Sequence, residues 1–240
     1  MEIIAHRGIH SGDIRENSRE ALVSCIGSQA DGIEIDIRIT ADDVCVVHHD
    51  TRSLSGSRLS RMIYEELRAQ DPLIIPVSEA LEVLDPYKGM INLEVKHIFG
   101  ERDRARGIQC VQQLSRDIQA RYDHEHEVIS RMVVSSFSLP NMQSLVSHLP
   151  EVPRAYLVPR GISFSRMIKR ALRHGCSAVH VSVPRMRVGH FEKFVLQAHD
   201  LGLQVRVFTV NTEEEFKRAS LAGVDAIFTD YVERMDTLRR

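Results

Sequence analysis

The chain is poor in cysteine, and its four cysteines, Cys25, Cys45, Cys110 and Cys176, are scattered with no CxxC spacing. Reduced, mostly buried thiols in a cytoplasmic protein are therefore expected. No apolar run is long enough to span a bilayer, so no integral membrane segment is expected. The N-terminus, MEIIAHRG, has no basic n-region and enters a strand almost at once, which argues against a signal peptide. Charge of one dominant sign is missing too. A formal net charge of -2 gives no global basic field for nucleic acid and no acidic excess of the kind that marks disorder. What remains is ordinary for a soluble globular protein: 240 residues, 43% hydrophobic and 27% charged. That length suffices for one large domain, and a single α/β barrel routinely takes it.

Short β-branched runs are plentiful. Candidate strands are Glu2–Ala5, Ile33–Ile39, Val44–His48, Met90–Val95, Met132–Ser136, Ala155–Val158, Ala178–Ser182, Gln204–Val210 and Ala226–Thr229. Helical patterns lie between most of them, such as the apolar stripe of Ile108, Val111, Leu114 and Ile118. Asn17 followed by Glu20, and Asn211 followed by Glu214, read as capped helix starts. In QADGIEID, RHGCSAVHV, LGLQVRV and LAGVDAIFT a helix is expected to end at glycine before a strand opens. Strands alternating with helices predict a parallel sheet. Only TADD separates Ile39 from Val44, too little for a parallel crossover, so that connection is a hairpin. Without the return strand eight remain. The expected fold is an α/β TIM (β/α)8 barrel, with a β-hairpin after the second strand, forming one catalytic domain over residues 1–240.

In such a barrel the outward faces of the strands are covered by helices. Ile33, Ile35 and Ile37 suit that face, so Glu34 and Asp36 point inward. In INLEVK the same alternation sends Glu94 and Lys96 inward. Buried carboxylates are costly unless paired or bound to metal, and an all-oxygen cluster of Glu34, Asp36 and Glu94 suits one hard divalent cation, Mg²⁺, Ca²⁺ or Mn²⁺. A salt-bridge layer of Lys96 with a carboxylate is the plainer alternative. His6 ends the first strand, and the hairpin brings His49 back toward the mouth, where the two form a plausible acid–base pair. Arg7 offers a planar fork suited to phosphate. Together these residues describe phosphoester cleavage.

The motifs AHRG, EN (Glu16–Asn17), DGIEIDIRIT, VVHHD, IP (Ile75–Pro76), NLEVK, VSSF, FTVN and DAIFTD, in that order, resemble the glycerophosphodiester phosphodiesterase family along nearly the whole chain. The resemblance implies a TIM barrel that hydrolyses glycerophosphodiesters to an alcohol and sn-glycerol 3-phosphate. By position it implies Glu34, Asp36 and Glu94 as cation ligands, His6 and His49 as general acid and base, and Arg7 and Lys96 on the phosphate. Two departures stand out. Ser18 replaces the usual Thr after EN, and Phe208 stands where the family often has Trp, lining the mouth. The segment from Asp50 to Ile75 is short, so little or no cap is expected. The expected partner is a small glycerophosphodiester, with no nucleic acid. The alternatives are a lysophospholipase D-like enzyme acting on lysolipids and a non-catalytic barrel that binds glycerol phosphates.

Other histidines read as structural or surface residues. His124 and His126 lie in a polar stretch, and His97 points away from the mouth by alternation. His180 is expected as a hydrogen-bonded core histidine. The run from Arg160 to His174 reads as a basic amphipathic helix that could touch anionic headgroups, or as an ordinary outer barrel helix.

Overall fold

The computed structural model describes residues 1–96, 101–122, 125–159 and 161–240, without the side chains of residues 101–104. Among the described residues the strands are β1 (Glu2–Ala5), β2 (Gly32–Ile39), β3 (Cys45–Val47), β4 (Met90–Val95), β5 (Met132–Ser136), β6 (Arg154–Leu157), β7 (Ala178–Ser182), β8 (Gln204–Phe208) and β9 (Ala226–Thr229). The spatial order is β1-β9-β8-β7-β6-β5-β4-β2, and a further parallel pairing of β1 with β2 closes the ring. The fold is a TIM barrel. The ninth strand, β3, pairs antiparallel with β2, matching Ile37 with Val47 and Ile39 with Cys45. Asp43 makes the tight turn at φ 63°. β8 stops two residues earlier than expected, at Phe208, although the Val210 N–H still donates to Phe228 O of neighbouring β9 at 2.8 Å.

The outer ring consists of α1 (Arg19–Val23), α2 (Tyr64–Gln70), α3 (Val77–Val83), α4 (Glu101–Tyr122), α5 (His126–Arg131), α6 (Leu139–His148), α7 (Phe164–Arg173), α8 (Val183–Met186), α9 (Phe191–Asp200), α10 (Glu213–Leu221) and α11 (Val232–Arg239). Ile33, Ile35 and Ile37 of β2 are fully buried in one cluster with Leu22 of α1, Leu81 of α3 and Leu114 of α4. Each such isoleucine contributes about 1.5–3 kcal/mol of apolar burial. The opposite face of the same strand therefore has to look into the barrel.

Both expected helix caps are displaced by one residue. Ser18 caps α1, accepting from Ala21 N–H at 3.2 Å, and Thr212 caps α10 in a capping box with Glu215. Asn17 and Asn211 do not cap. Each turns its amide toward a carboxylate at the barrel mouth. Gly175, Gly202 and Gly223 end helices in the left-handed region, as expected. Gly32 does not. It is the first residue of β2, and a Cβ there would meet Met90 at 3.1 Å.

Candidate active site

Parallel register sets Glu34 beside Asn92 and Asp36 beside Glu94 on the neighbouring strands β2 and β4. Glu34, Asp36 and Glu94 consequently converge, with one carboxylate oxygen from each lying within 4.8 Å of the others. Their exposures are only 2%, 0% and 7%. Glu34 Oε2 accepts from the Arg7 backbone N–H at 2.9 Å. Its Oε1, and Oδ1 of neighbouring Asn92, are buried oxygens without a hydrogen-bond donor among the described residues. Three carboxylates and two undersatisfied oxygens form a donor set that fits a hard divalent cation.

Two cationic side chains face the cluster. Lys96 Nζ sits 2.6 Å from Asp36 Oδ1 and 2.7 Å from Glu94 Oε1. Arg7 Nε is 3.2 Å from Asp36 Oδ2, and its Nη1 donates to Glu16 Oε1 at 2.7 Å. Arg7 and Asn17 both adopt left-handed backbone, with φ 60° and 57°, which folds the β1–α1 loop over the strand ends. The Asn17 amide donates to Asp36 Oδ2 at 2.8 Å, and its Oδ1 accepts from the Asp36 N–H at 3.1 Å.

Titration behaviour follows from this arrangement. Burial pushes the Glu34 carboxyl well above its usual range, and the charges of Asp36 and Glu94 push it further. Glu94 is raised chiefly by burial. Burial acts in the same direction on Asp36, but Lys96 and Arg7 outweigh it and hold Asp36 far below the usual carboxylate range. Burial disfavours the Lys96 ammonium; Glu94, Asp36 and Glu34 more than compensate and raise its pKa.

His6 and His49 are each gripped at Nδ1. His6 Nδ1 lies 2.7 Å from Asp230 Oδ1, while the Asn211 amide donates to Asp230 Oδ2 at 2.6 Å. His10 Nε2 is 3.6 Å from the same Asp230 Oδ1. His49 Nδ1 lies 2.9 Å from Asp50 Oδ1, and its backbone carbonyl accepts from the Arg38 guanidinium at 2.7 Å. Burial, then the positive field of Lys96, lowers the pKa of His49.

Phe208 lines a pocket at the base of the mouth with His6, Glu34, Glu94 and His180, and meets Phe137 edge-on at 6.1 Å. All eight residues singled out from the sequence thus lie in or against one site. Asp230, Asn211, Asn17, Glu16 and His10 were not expected in the site, although EN, FTVN and DAIFTD contain four of them. His180 is buried as expected, but its Nε2 has no partner among the described residues and Phe228 packs on its ring at 4.9 Å. His126 is exposed and 3.8 Å from Glu151. His97, His124 and Arg160 lie outside the described residues.

Fold and site together define a TIM-barrel phosphodiesterase. The chain matches the Glycerophosphoryl diester phosphodiesterase family over residues 6–234 and belongs to that family of enzymes. It is 29% identical over 255 residues to a glycerophosphodiester phosphodiesterase of Bacillus altitudinis, covering 99% of this chain and 98% of the relative. It is 22% identical to the human Lysophospholipase D GDPD3, covering 95% of this chain and 81% of the relative. Among solved structures, an Oleispira antarctica phosphodiesterase in complex with the product sn-glycerol-3-phosphate shares the fold with a TM-score of 0.82 at 22% identity. That superposition covers 100% of this chain and 96% of the other.

Proposed function

We propose that the protein hydrolyses glycerophosphodiesters to an alcohol and sn-glycerol 3-phosphate in a reaction that depends on a divalent cation. The observation that carries this reading is the buried convergence of Glu34, Asp36 and Glu94 beside two cationic side chains and an Asp-held histidine. The name of the Bacillus altitudinis relative and the product in the Oleispira antarctica structure support the substrate class.

Glu34, Asp36 and Glu94 would hold the cation, Mg²⁺, Ca²⁺ or Mn²⁺ by the hardness of the donors. When bound it neutralises non-bridging phosphate oxygens and the charge that grows on them in the transition state. Arg7 and Lys96 orient the phosphate from the cluster's flanks. Asp230 and Asp50 occupy Nδ1 of His6 and His49 and leave each Nε2 for substrate. One ring takes the proton from the attacking hydroxyl, and the other returns a proton to the departing alkoxide. Phe208 shapes the base of the mouth.

A lysolipid substrate is the second reading. The loop that directly follows His49 and Asp50 carries no large cap and presents Leu54 at 76% exposure, a surface suited to an acyl chain. Turnover of glycerophosphocholine, glycerophosphoethanolamine, glycerophosphoinositol and a lysolipid, in EDTA and with each cation restored, tests both. Cation-dependent release of glycerol 3-phosphate, abolished in Glu94→Gln, is expected. Turnover that persists in EDTA and in Glu94→Gln would remove the cation from the mechanism.

A further inference from the structure

From Val152 to Phe191 the sequence contains eight of the chain's 31 Lys and Arg residues and none of its 33 Asp and Glu. In a protein of net charge -2 this is a strong local asymmetry. The stretch builds one continuous sector of the barrel wall, β6, α7, β7 and α8. Its centre is α7. Met167, Ile168 and Ala171 are buried against the barrel, so the spacing of the helix turns Ser165, Arg166, Lys169, Leu172 and Arg173 outward.

These outward bases differ from those of α10. Lys217 and Arg218 pair with Glu213 and Glu214 one turn away. Arg166, Lys169 and Arg173 make no ion pair among the described residues. Of the remaining bases in the sector, Arg154 donates to the backbone carbonyls of Leu149, Pro150 and Gly175, and Arg170 donates to the Tyr156 hydroxyl. Arg185 donates to Ile162 O and lies over the Phe164 ring, and among the described bases of the sector only Arg187 meets a carboxylate, Glu215 at 3.8 Å. Among the described residues the outward charge of α7 is thus left without a paired carboxylate. His174 registers it: burial, then Arg173 and Arg170, lower its pKa. Exposed apolar side chains accompany the bases. Leu172 is 43% exposed on α7 and Leu196 is 64% exposed on α9, which packs beside it.

We propose that this wall docks on an anionic lipid bilayer, its bases meeting the headgroups and its leucines the interface. Unpaired bases next to exposed aliphatic side chains match such a surface in both charge and polarity. A nucleic-acid groove would use the bases and leave the leucines idle. Since α7 starts at the mouth end of β6, docking on its outward face brings one side of the mouth rim near the membrane. The docking does not depend on the proposed hydrolysis, because none of these residues belongs to the site.

The test is co-sedimentation of the full chain with vesicles of phosphatidylcholine alone and with vesicles enriched in phosphatidylglycerol. Binding is expected only to the anionic vesicles, weakening as salt rises. The triple variant Arg166→Gln, Lys169→Gln, Arg173→Gln is expected to bind at least about tenfold more weakly, with unchanged thermal stability and unchanged turnover of a soluble glycerophosphodiester. Leu172→Ser is expected to weaken binding without altering its salt dependence. Absence of binding to anionic vesicles, equal binding by the triple variant, or tighter binding to RNA than to the vesicles would each overturn the proposal.

Discussion

Asp230 holds His6 at a distance of 2.7 Å across 224 positions of sequence. The carboxylate closes the barrel chemically, since β1 and β9 are neighbours in the sheet and each contributes one partner at its end. Asn211 on the β8–α10 loop fixes the other oxygen of Asp230 at 2.6 Å, so neither the carboxylate nor the imidazole is free to rotate. The Asp230→Asn substitution keeps the shape and removes the charge. It is expected to lower kcat about 10²- to 10⁴-fold, the span that positioned acid–base groups carry. Measured kcat at saturating cation checks this. Full activity in the variant would mean that His6 works without Asp230 or does not work in the reaction.

The same cluster gives stability a defined pH dependence. Burial tends to raise Asp230, but His10, 3.6 Å away, and the hydrogen bond to His6 outweigh burial and hold it well below its ordinary value of 3.8. That contribution is present above 3.8 and is lost as pH falls through the depressed folded value. His10 is raised above its ordinary 6.5, chiefly by the Asp230 carboxylate 3.6 Å away. Its contribution is complete below 6.5 and is lost as pH rises through the folded value. Both are therefore fully present between 3.8 and 6.5. Urea unfolding should show a wider stability gap between the wild type and Asp230→Asn inside this window than at alkaline pH. A gap that widens toward alkaline pH would show that the His10 coupling is absent.

Much of this site was legible because β-strand alternation is strict. Once Ile33, Ile35 and Ile37 are assigned to the helix-covered face, Glu34 and Asp36 can only look inward, and the same reasoning carries Glu94 and Lys96. The hairpin was legible from a loop too short for a crossover. The supporting residues were not. Asn17 and Asn211 have the composition of helix caps and sit one residue from the true caps, so local propensity explained them away. Their actual partners, Asp36 and Asp230, are 19 residues distant in each case and are brought close only when consecutive strands pair in parallel. Glu16 and His10 lie in a loop without periodicity, where the sequence pattern says nothing about direction. The mismatch at His180 has a similar origin. Alternation places it inside, but whether Nε2 finds a partner depends on which aromatic ring fills the space beside it.

Lys96 and a bound cation compete for the same carboxylates. In the protein described here the ammonium lies within 2.7 Å of both Asp36 and Glu94, and Arg7 adds a second positive charge at Asp36. The Lys96→Gln substitution leaves the three buried carboxylates with Arg7 as their one ion-pair partner among the described residues. Removing one partner from a buried ionic cluster costs about 3–5 kcal/mol, so the variant in EDTA should melt well below the wild type. A divalent cation neutralises the same oxygens and stabilises the folded state by its binding free energy. The rise in Tm on adding Mg²⁺ or Ca²⁺ should therefore be larger in Lys96→Gln than in the wild type, where the ammonium already offsets part of the repulsion. Thermal melts of both proteins, in EDTA and across a cation titration, measure this directly. An equal rise in both would show that Lys96 and the cation address different oxygens, and would leave Lys96 to the phosphate alone.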